Sequence, residues 1–490
     1  MIVYKKTICY GPVMPDSAAV PPVDLARGVT RPSRWIALAA LCLSLLMIIL
    51  DGTIVSVALP AIQADLGFAP SALAWTVNAY LLPLGGLLLL AGRLGDLLGA
   101  RRVLLVGLGL FVLASLLCGF AGDPGTLVAA RFAQGVAAAL ASAVVLGMVV
   151  GLFPDPAERA RAMGVYAFVG AAGASIGLLL GGVLTEAVGW PWIFFVNVPI
   201  GLAAIGLVRW AVAPDGPRPR AGRPDVAGAV LVTAGLLTLV LAIVDTSGPG
   251  VRAATAALAV ALLVAFVVRQ RRATEPLVRL GVLRSRAVSG GNAAQLLMVA
   301  GMLGFQFIAA LYLQNSLGYD PAATGFAMVP IPLMIAAVSL GVSGRGIARF
   351  GPRAVLLVGE VLLVAGLLLL ARPPLGGYVV DVLPSLLVLG VGAGLALPAV
   401  TTVMMSDATA ADAGLTSGLA NTSQQIGGAL GTAVLAALAA ATTDGLVAAG
   451  TPAAQALADG YRTAFVVSAG LVAAAAVVTA LVLRPRRTGV

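Results

Sequence analysis

The chain has 490 residues, of which 60% are hydrophobic and 10% are charged, and its formal net charge is +10. Soluble domains carry about 25% charged residues, so this composition excludes an ordinary soluble fold and indicates a core in contact with lipid. The positive charge does not indicate nucleic-acid binding, because the Lys and Arg residues lie at the ends of apolar runs and not in one patch. The sequence contains no histidine, which excludes His-based proton relays and catalytic triads.

Fourteen apolar runs, each long enough to cross a bilayer, follow one another along the chain. A helix needs about 20 apolar residues to span the hydrocarbon core, whereas the strands of a membrane barrel have about 10 residues of alternating polarity. The predicted helices 1 to 14 cover residues 35–59, 72–92, 102–121, 126–152, 160–185, 190–213, 225–245, 252–269, 287–314, 322–344, 353–371, 380–404, 415–441 and 461–483. We therefore expect an all-α membrane protein.

The loops between these runs alternate in charge. Of the 30 Lys and Arg residues, 26 lie before helix 1, around the loops that follow helices 2, 4, 6, 8 and 10, or at the end of the chain. Because Lys and Arg in short loops mark the cytoplasmic side, we expect both termini to be cytoplasmic. Residues 1–34 contain five prolines and no apolar run long enough for a signal-peptide core. They are predicted to be a disordered tail, and residues 484–490 a second cytoplasmic tail.

One loop pattern, Gly-Arg-x-x-x-x-x-Gly-x-Arg, occurs twice. It covers Gly92–Arg101 between helices 2 and 3 and Gly344–Arg353 between helices 10 and 11, at a constant offset of 252 residues. Asp96 in the first copy corresponds to Ala348 in the second. Equivalent loops eight helices apart predict two six-helix halves, 35–213 and 287–483, separated by an inserted helix pair and a linker, 214–286. Repeated halves of this kind are typical of secondary transporters, which bind substrate near the bilayer midplane.

Five segments, in this order, resemble the major facilitator superfamily and within it the 14-helix drug:proton antiporters. They are Leu50–Pro60, Gly92–Arg102, Arg131–Gly135, Trp190–Gly201 and Asn421–Gly428. The resemblance covers essentially all of 35–483. It implies the major facilitator fold and a proton-coupled antiporter that exports hydrophobic or cationic drugs and antibiotics, by alternating access, across a bacterial inner membrane.

The chain departs from the pattern of this family at two places. In helix 5 the family's Gly-Pro is replaced by Gly177-Leu178, so that the kinking proline is absent. In the loop between helices 2 and 3, Leu97 and Ala100 stand at two positions that are usually basic. We therefore expect fewer charge contacts at that loop than the family usually has.

Three ionisable residues, Asp51, Arg131 and Glu360, lie well inside predicted helices. With a rise of 1.5 Å per residue, Asp51 lies about 24 Å along helix 1 and Arg131 about 7 Å along helix 4, which runs from the opposite side. The two charges are therefore at similar depth. We hypothesise that Asp51 is the proton-coupling carboxylate and that Arg131 tunes it, with Gln134 one helical turn further on the same face.

The alternative for these two charges is a static ion pair that anchors helix 1 to helix 4. Two opposing effects on the pKa of Asp51 decide between the two roles. An adjacent arginine favours the charged carboxylate, whereas burial favours the neutral form. Glu360 is expected to reach the cytoplasmic surface or to pair with Arg353, two turns away on helix 11.

The resemblance assigns the loop between helices 2 and 3 to an inner gate, in which Asp96 holds the outward-open state. The alternative is a solvated loop charge. The predicted gate residues are Gly92, Arg93, Asp96, Gly99, Arg101 and Arg102. On helix 5, small residues at a spacing of four predict close helix packing, and a sliding interface between the halves is the alternative. These residues are Gly173, Gly177 and Gly181, followed by Gly182.

Polar and aromatic residues inside several helices are candidates for the substrate cavity. Pockets for drug-like molecules are mostly apolar with a few orienting polar groups, although such residues also form hydrogen bonds between helices. The candidates are Trp75, Asn78 and Tyr80 in helix 2, Gln295, Gln306, Tyr312 and Gln314 in helix 9, and Asn421, Gln424 and Gln425 in helix 13.

The remaining sequence features bear on the class of function. No phosphate-binding loop of the Gly-x-x-x-x-Gly-Lys-Ser/Thr type is found, so the energy for transport must come from an ion gradient or from the substrate's own gradient. An enzyme would need clustered catalytic groups, and a sensor would need a cytoplasmic effector domain, so neither is expected. We expect no cofactor and no metal, a monomer in the bilayer, and small molecules and protons as ligands. An exporter dedicated to one secondary metabolite and an uptake symporter remain as alternatives.

Overall fold

The structure is a computed structural model that describes residues 34–70, 72–215, 224–244, 248–372, 377–407 and 413–483. Within these ranges the secondary structure is entirely helical, and fourteen segments are long and apolar enough to cross a membrane. The predicted number of helices is therefore confirmed. The two predicted tails lie outside the described residues, except for Arg34.

The fourteen segments are numbered α1 to α14 in chain order. Their bounds are Arg34–Leu66, Ala72–Leu98, Ala100–Gly119, Pro124–Leu152, Pro156–Ala187, Trp192–Ala211, Val226–Val244, Pro249–Arg272, Arg286–Asn315, Pro321–Phe350, Pro352–Leu370, Tyr378–Met405, Ala413–Ala448 and Ala453–Val482. Most segments are continuous helices. A π-helical turn, Ser339–Ser343, interrupts α10, and a second one, Tyr378–Val382, begins α12. Helix α1 continues past its predicted end at residue 59, with Pro60 inside the helix.

Several helix starts follow directly from local sequence. Pro124 and Pro321 stand in the first turn of α4 and α10, where the missing N–H of proline has no helical partner to lose. The preceding aspartates, Asp123 and Asp320, accept hydrogen bonds from backbone N–H groups of these first turns at 3.0 and 2.6 Å. An aspartate before a proline thus satisfies free donors and begins each helix.

For description, α1–α6 are called the first half, α9–α14 the second half, and α7–α8 the inserted pair. In the first half, α1 packs on α5, and α4 packs on α2 and α3. In the second half, α9 packs on α13 and α14, and α11 packs on α12. Helix α7 packs on its partner α8 and also on α2 and α13, so the inserted pair touches both halves.

The inserted pair is joined at one end by Asp225, a buried carboxylate that precedes α7. It accepts hydrogen bonds from Arg269 Nε at 2.9 Å, Gln270 Nε2 at 2.9 Å and the backbone N–H of Gly228 at 3.0 Å. Burial raises the pKa of Asp225, but the hydrogen bonds from Gly228, Gln270 and Arg269 outweigh it and hold that pKa below its usual range. Gln270 also accepts from the N–H of Val278 in the linker.

Ion pairs and hydrogen bonds between residues near the helix ends define the two ends of the bundle. Arg34 pairs with Glu158 at the start of α5, and Arg93 at the end of α2 pairs with Glu275 in the linker before α9. The end that carries these contacts is called the basic end. At the opposite end, Trp190 Nε1 donates a hydrogen bond to Asp65 at 2.8 Å.

The glycine stripe of α5 lies against α1. A Cβ atom on Gly177 would overlap the hydroxyl of Thr53, and one on Gly181 would overlap the carbonyl oxygen of Ile54. Gly173 also faces α1. Gly182 differs, because a Cβ there would overlap the carbonyl of Pro321 in α10. The stripe therefore packs inside the first half, and Gly182 meets the second half.

Candidate functional site: a buried ion-pair network

A fully buried ion pair joins α1 to α4. Arg131 Nη1 donates to Asp51 Oδ2 at 2.6 Å, and the two side chains are 1% and 0% exposed. A charge at the centre of a membrane helix costs at least about 2.5–3.5 kcal/mol on insertion scales, so each charge needs the other. The sequence-based depth argument placed these two residues at one level, and the structure brings them into contact.

Two amides complete the environment of the Asp51 carboxylate. Gln134 Nε2 donates to Asp51 Oδ1 at 2.7 Å, and Asn197 Nδ2 from α6 donates to the same oxygen at 2.9 Å. A carboxylate that accepts three hydrogen bonds recovers much of the solvation that it loses on burial. Asp51 therefore links three helices of the first half.

The guanidinium of Arg131 has partners besides Asp51. Its Nε donates to the carbonyl of Thr76 at 2.9 Å, and its Nη1 also donates to Gln134 Oε1 at 2.7 Å. The Cζ atom lies 4.3 Å from the ring centroid of Tyr80 and 5.7 Å from that of Phe194. Aromatic rings at these distances stabilise a buried cation. Arg131 would thus keep several contacts if the Asp51 charge were lost.

The network continues into α3 through Gln134. Gln134 Nε2 donates to Ser115 Oγ at 2.8 Å, and the Cys118 thiol donates to Gln134 Oε1 at 3.6 Å. Gly135 allows α4 to lie close to α2, because a Cβ at that position would overlap the carbonyl oxygen of Tyr80 in α2. Within about one turn of α4, the segment Arg131–Gly135 therefore provides the charge of Arg131, the amide of Gln134 and the close contact of Gly135 with α2.

Sequence reasoning missed five contributors to this network: Asn197, Ser115, Cys118, the Thr76 carbonyl and Phe194. Asn197 and Phe194 lie in the Trp190–Gly201 segment that carries the family resemblance, but no role was assigned to them. Beyond the two arginines at the start of α3, Ser115 is the one hydroxyl-bearing residue, and the others are apolar apart from Cys118. An isolated polar residue in such a helix was the available signal for Ser115.

The three candidate cavity residues of α2 have different surroundings. Trp75 is partly buried. Asn78 is fully buried, and neither its Oδ1 nor its Nδ2 has a hydrogen-bond partner in the described part of the chain. Tyr80 packs on Arg131 and donates through its hydroxyl to the Ile48 carbonyl at 3.2 Å, so it belongs to the network and does not line an open space.

The four candidates of α9 also differ from one another. Gln295 is buried, with no hydrogen-bond partner for its Oε1 among the described residues, and Gln306 is partly buried. Tyr312 is buried with its ring edge-on to the rings of two neighbours in α14, Tyr461 and Phe465. Gln314 Nε2 donates to the Val57 carbonyl of α1 at 2.8 Å. Tyr312 and Gln314 therefore have packing and bridging contacts in this conformation.

The α13 candidates lie near the contact between the halves. Asn421 is exposed and donates to the Ser417 carbonyl within its own helix at 3.3 Å. Gln424 and Gln425 are partly buried, and a Cβ on Gly85 of α2 would lie 2.9 Å from Gln425 Cβ. The ten candidates thus do not form one cluster, and Asn78 and Gln295 are the ones with unpaired buried polar atoms.

The predicted gate residues lie at the basic end. Asp96 is exposed and makes no hydrogen bond or ion pair with the residues that the structure describes.

Gly99 adopts a positive φ of 112° between α2 and α3, a conformation that favours glycine. The backbone N–H groups of Arg101 and Arg102 donate to Asp215 Oδ1 and Oδ2 at 3.2 and 3.1 Å. Gly92 has open space beside it. The start of α3 is therefore capped by a carboxylate from beyond α6.

Both expectations for Glu360 are wrong. It is fully buried and does not reach the surface, and its Oε1 accepts a hydrogen bond from Thr479 Oγ1 at 3.0 Å. Arg353 does not pair with it, because its Nη2 donates to the Ala480 carbonyl at 2.6 Å. The end of α14 offers carbonyl acceptors near Arg353, and that neighbour could not be known from spacing along α11.

The fold and the site together define the class of protein. A bundle of fourteen apolar helices that holds a charged network in its interior is typical of a multi-pass membrane transporter. Comparison with known proteins identifies the family: the chain belongs to the Major Facilitator Superfamily, whose sequence pattern matches residues 41–432. It is a transporter and not an enzyme, as the sequence predicted.

The chain is similar to two antibiotic-related proteins over most of its length. The puromycin resistance protein pur8 of Streptomyces alboniger is 38% identical over 430 residues, which cover 86% of this chain and 85% of that protein. The cephamycin export protein CmcT of Amycolatopsis lactamdurans is 37% identical over 452 residues, which cover 90% of this chain and 91% of that protein.

A solved structure is similar in fold. A bacterial homolog of the human lysosomal transporter Spinster, in an inward-facing and occupied conformation, matches with a TM-score of 0.66 at 16% identity. The match covers 93% of this chain and 97% of the other. The predicted major facilitator fold is therefore confirmed.

Proposed function

We propose that this transporter is a proton-coupled antiporter that exports antibiotics or similar hydrophobic or cationic molecules across a bacterial inner membrane, with both termini cytoplasmic. The observation that carries the proposal is the fully buried Asp51, which binds Arg131, Gln134 and Asn197. In a chain without histidine, a carboxylate is the natural group to bind and release a proton. The names of the two similar proteins, which refer to puromycin resistance and cephamycin export, support export as the direction.

Protonation of Asp51 would change contacts that hold three helices together. The neutral carboxyl loses its ion pair with Arg131, while Arg131 keeps the Thr76 carbonyl, Gln134 Oε1 and the Tyr80 ring. Because the guanidinium is not left without partners, the cost of opening the pair is limited. A proton at Asp51 therefore loosens α1 from α4 and biases the conformation of the first half.

Alternating access requires that contacts between the halves break at one end and form at the other. In this conformation Gln314 of α9 bonds to Val57 of α1, and Gly182 of α5 packs against Pro321 of α10. These contacts would separate when the end opposite the basic end opens. Asp96, exposed here, would then engage at the closing basic end.

The proposal is tested by proton release from proteoliposomes on addition of an antibiotic that the protein removes from a sensitive host. Asp51→Asn cannot take up a proton, so we expect substrate-driven proton movement to be lost. The matched control is Asp65→Asn, which changes an exposed aspartate at the far end of the same helix, and it should retain proton movement. Wild-type proton exchange in Asp51→Asn would refute the proposal.

A second candidate is an exporter dedicated to one antibiotic, and a specific observation favours it. Each of the two similar proteins is named for a single antibiotic. Susceptibility of a sensitive host to a panel of chemically unrelated compounds separates the candidates. Protection against one compound only would support the dedicated exporter, whereas protection against several would support multidrug efflux.

A further inference from the structure

A cavity of about 1230 Å³ opens at the basic end of the second half. Its walls come from the start of α9, the end of α10 and the start of α11, and the ends of α12 and α14. The apolar part of the wall includes Leu357, Val403 and Val482. None of the residues that line it belongs to the Asp51 network, so it is a separate site.

The charged part of the wall is predominantly basic. Arg286, Arg349 and Arg353 line the cavity, with Asp407 as the one carboxylate among the described residues of its wall. Asp407 accepts a hydrogen bond from Ser285 Oγ at 2.8 Å, and Arg353 is bonded to the Ala480 carbonyl. Arg286 and Arg349 are exposed and form no ion pair with another described residue. The cavity is therefore electropositive.

The internal repeat shows what the equivalent place in the first half holds. There, the N–H groups of Arg101 and Arg102 at the start of α3 bind both oxygens of Asp215. At the same offset of 252 residues, the corresponding positions at the start of α11 are Arg353 and Ala354. Both line the cavity.

The start of α11 has no such carboxylate. Its cap residue, Gly351, has a positive φ of 80°, as Gly99 does before α3, and no side chain of the described residues caps the helix. Ala348, in the place of Asp96, removes a negative charge from the lining. The start of α3 thus binds a carboxylate in the first half, whereas the equivalent start of α11 in the second half faces a basic cavity.

We infer that this cavity binds the phosphate group of an anionic phospholipid. Free N–H groups and the positive end of the helix dipole favour an anion, and arginines bind phosphate oxygens with several donors. The apolar wall suits acyl chains, and basic pockets between membrane helices are suited to anionic head groups. The bound lipid would connect α9, α11 and α14, as Asp215 connects α6 to α3 in the first half.

The test compares binding of phosphatidylglycerol and phosphatidylcholine with the same acyl chains to the purified full chain by native mass spectrometry. We expect phosphatidylglycerol to bind about ten-fold more tightly, and Arg286→Gln or Arg349→Gln to weaken it roughly five-fold each. Arg345→Gln is the matched control, because Arg345 lies one turn before Arg349 in α10 but bonds to the Gly341 carbonyl and does not line the cavity. It should leave binding unchanged.

A second variant keeps the test decisive if the arginine variants do not fold. Ala348→Asp restores the carboxylate of the first loop copy and should weaken phosphatidylglycerol binding without removing an arginine. Equal binding of the two lipids, or the same loss in Arg345→Gln as in Arg349→Gln, would overturn the inference. Competition by inorganic phosphate as effective as that by the lipid would assign the site to a soluble phosphate instead. None of these readouts depends on transport, so they are independent of the proposed antiport.

Discussion

The most informative perturbation is the removal of the buried charge at Asp51. In Asp51→Asn the new amide places an NH₂ group or an oxygen where Oδ2 now lies, 2.6 Å from Arg131 Nη1. Gln134 and Asn197 both donate to the other oxygen, so the amide oxygen is needed there and the NH₂ group faces the guanidinium. The result is a buried charge without its partner, and we expect a loss of about 3–5 kcal/mol in the free energy of unfolding.

A double variant separates the static role of the pair from its role in proton transfer. Asp51→Asn with Arg131→Gln removes both charges, so no unpaired charge is left in the core. We expect the double variant to recover about 2–3 kcal/mol relative to the sum of the two single losses. Because no titratable carboxylate remains at this position, it should still fail to couple proton movement to transport.

The two readouts are denaturant unfolding in detergent micelles, followed by tryptophan fluorescence, and proton release from proteoliposomes. Additive single losses would show that Asp51 and Arg131 are not energetically coupled and would contradict the network described above. Proton-coupled transport by the double variant would refute Asp51 as the proton carrier. Transport that persists in the double variant without proton movement would support Asp51 as the proton carrier.

Four further predictions concern individual residues. Gly135→Ala should lower the free energy of unfolding by about 1–3 kcal/mol, because the new methyl group overlaps α2. The control Gly147→Ala lies on the same helix with no heavy atom within 4 Å and should leave stability unchanged, so equal thermal midpoints of the two variants would contradict the prediction. The pKa of Asp225 is lowered on folding, so its contribution to stability should be complete at neutral pH and lost only as the pH falls below about 4. In thermal unfolding measured at a series of pH values, Asp225→Asn should remove this decrease of the midpoint in acid. Glu360→Gln keeps an acceptor for the Thr479 hydroxyl and removes a buried carboxyl that has no cationic partner in the described part of the chain, so stability and drug resistance should be retained. Lost resistance at normal expression would assign Glu360 a part in transport. Asp96→Asn should abolish transport at unchanged membrane levels, and preserved transport would argue against a gate at this loop.

Local properties of the sequence were sufficient for the fold class. The number of spans depends on the length of each apolar run, and helix ends such as those at Pro124 and Pro321 depend on neighbouring residues. The similar depth of Asp51 and Arg131 follows from the fixed rise of a helix and could therefore be predicted without a structure. That the two side chains touch is seen only in the structure. The family resemblance then identified the arrangement of helices.

Which side chains meet across helices was decided by tertiary structure. Asn197 joins Asp51 from a position 146 residues away, and Asp215 caps α3 across more than 100 residues of chain. Glu360 turns to Thr479, and Gln314 reaches Val57 in the other half. Spacing along one helix specifies the depth and face of a residue, but not which other helix packs on that face. The rotation and pairing of helices, set by close contacts such as Gly135 on α2, determined those partners.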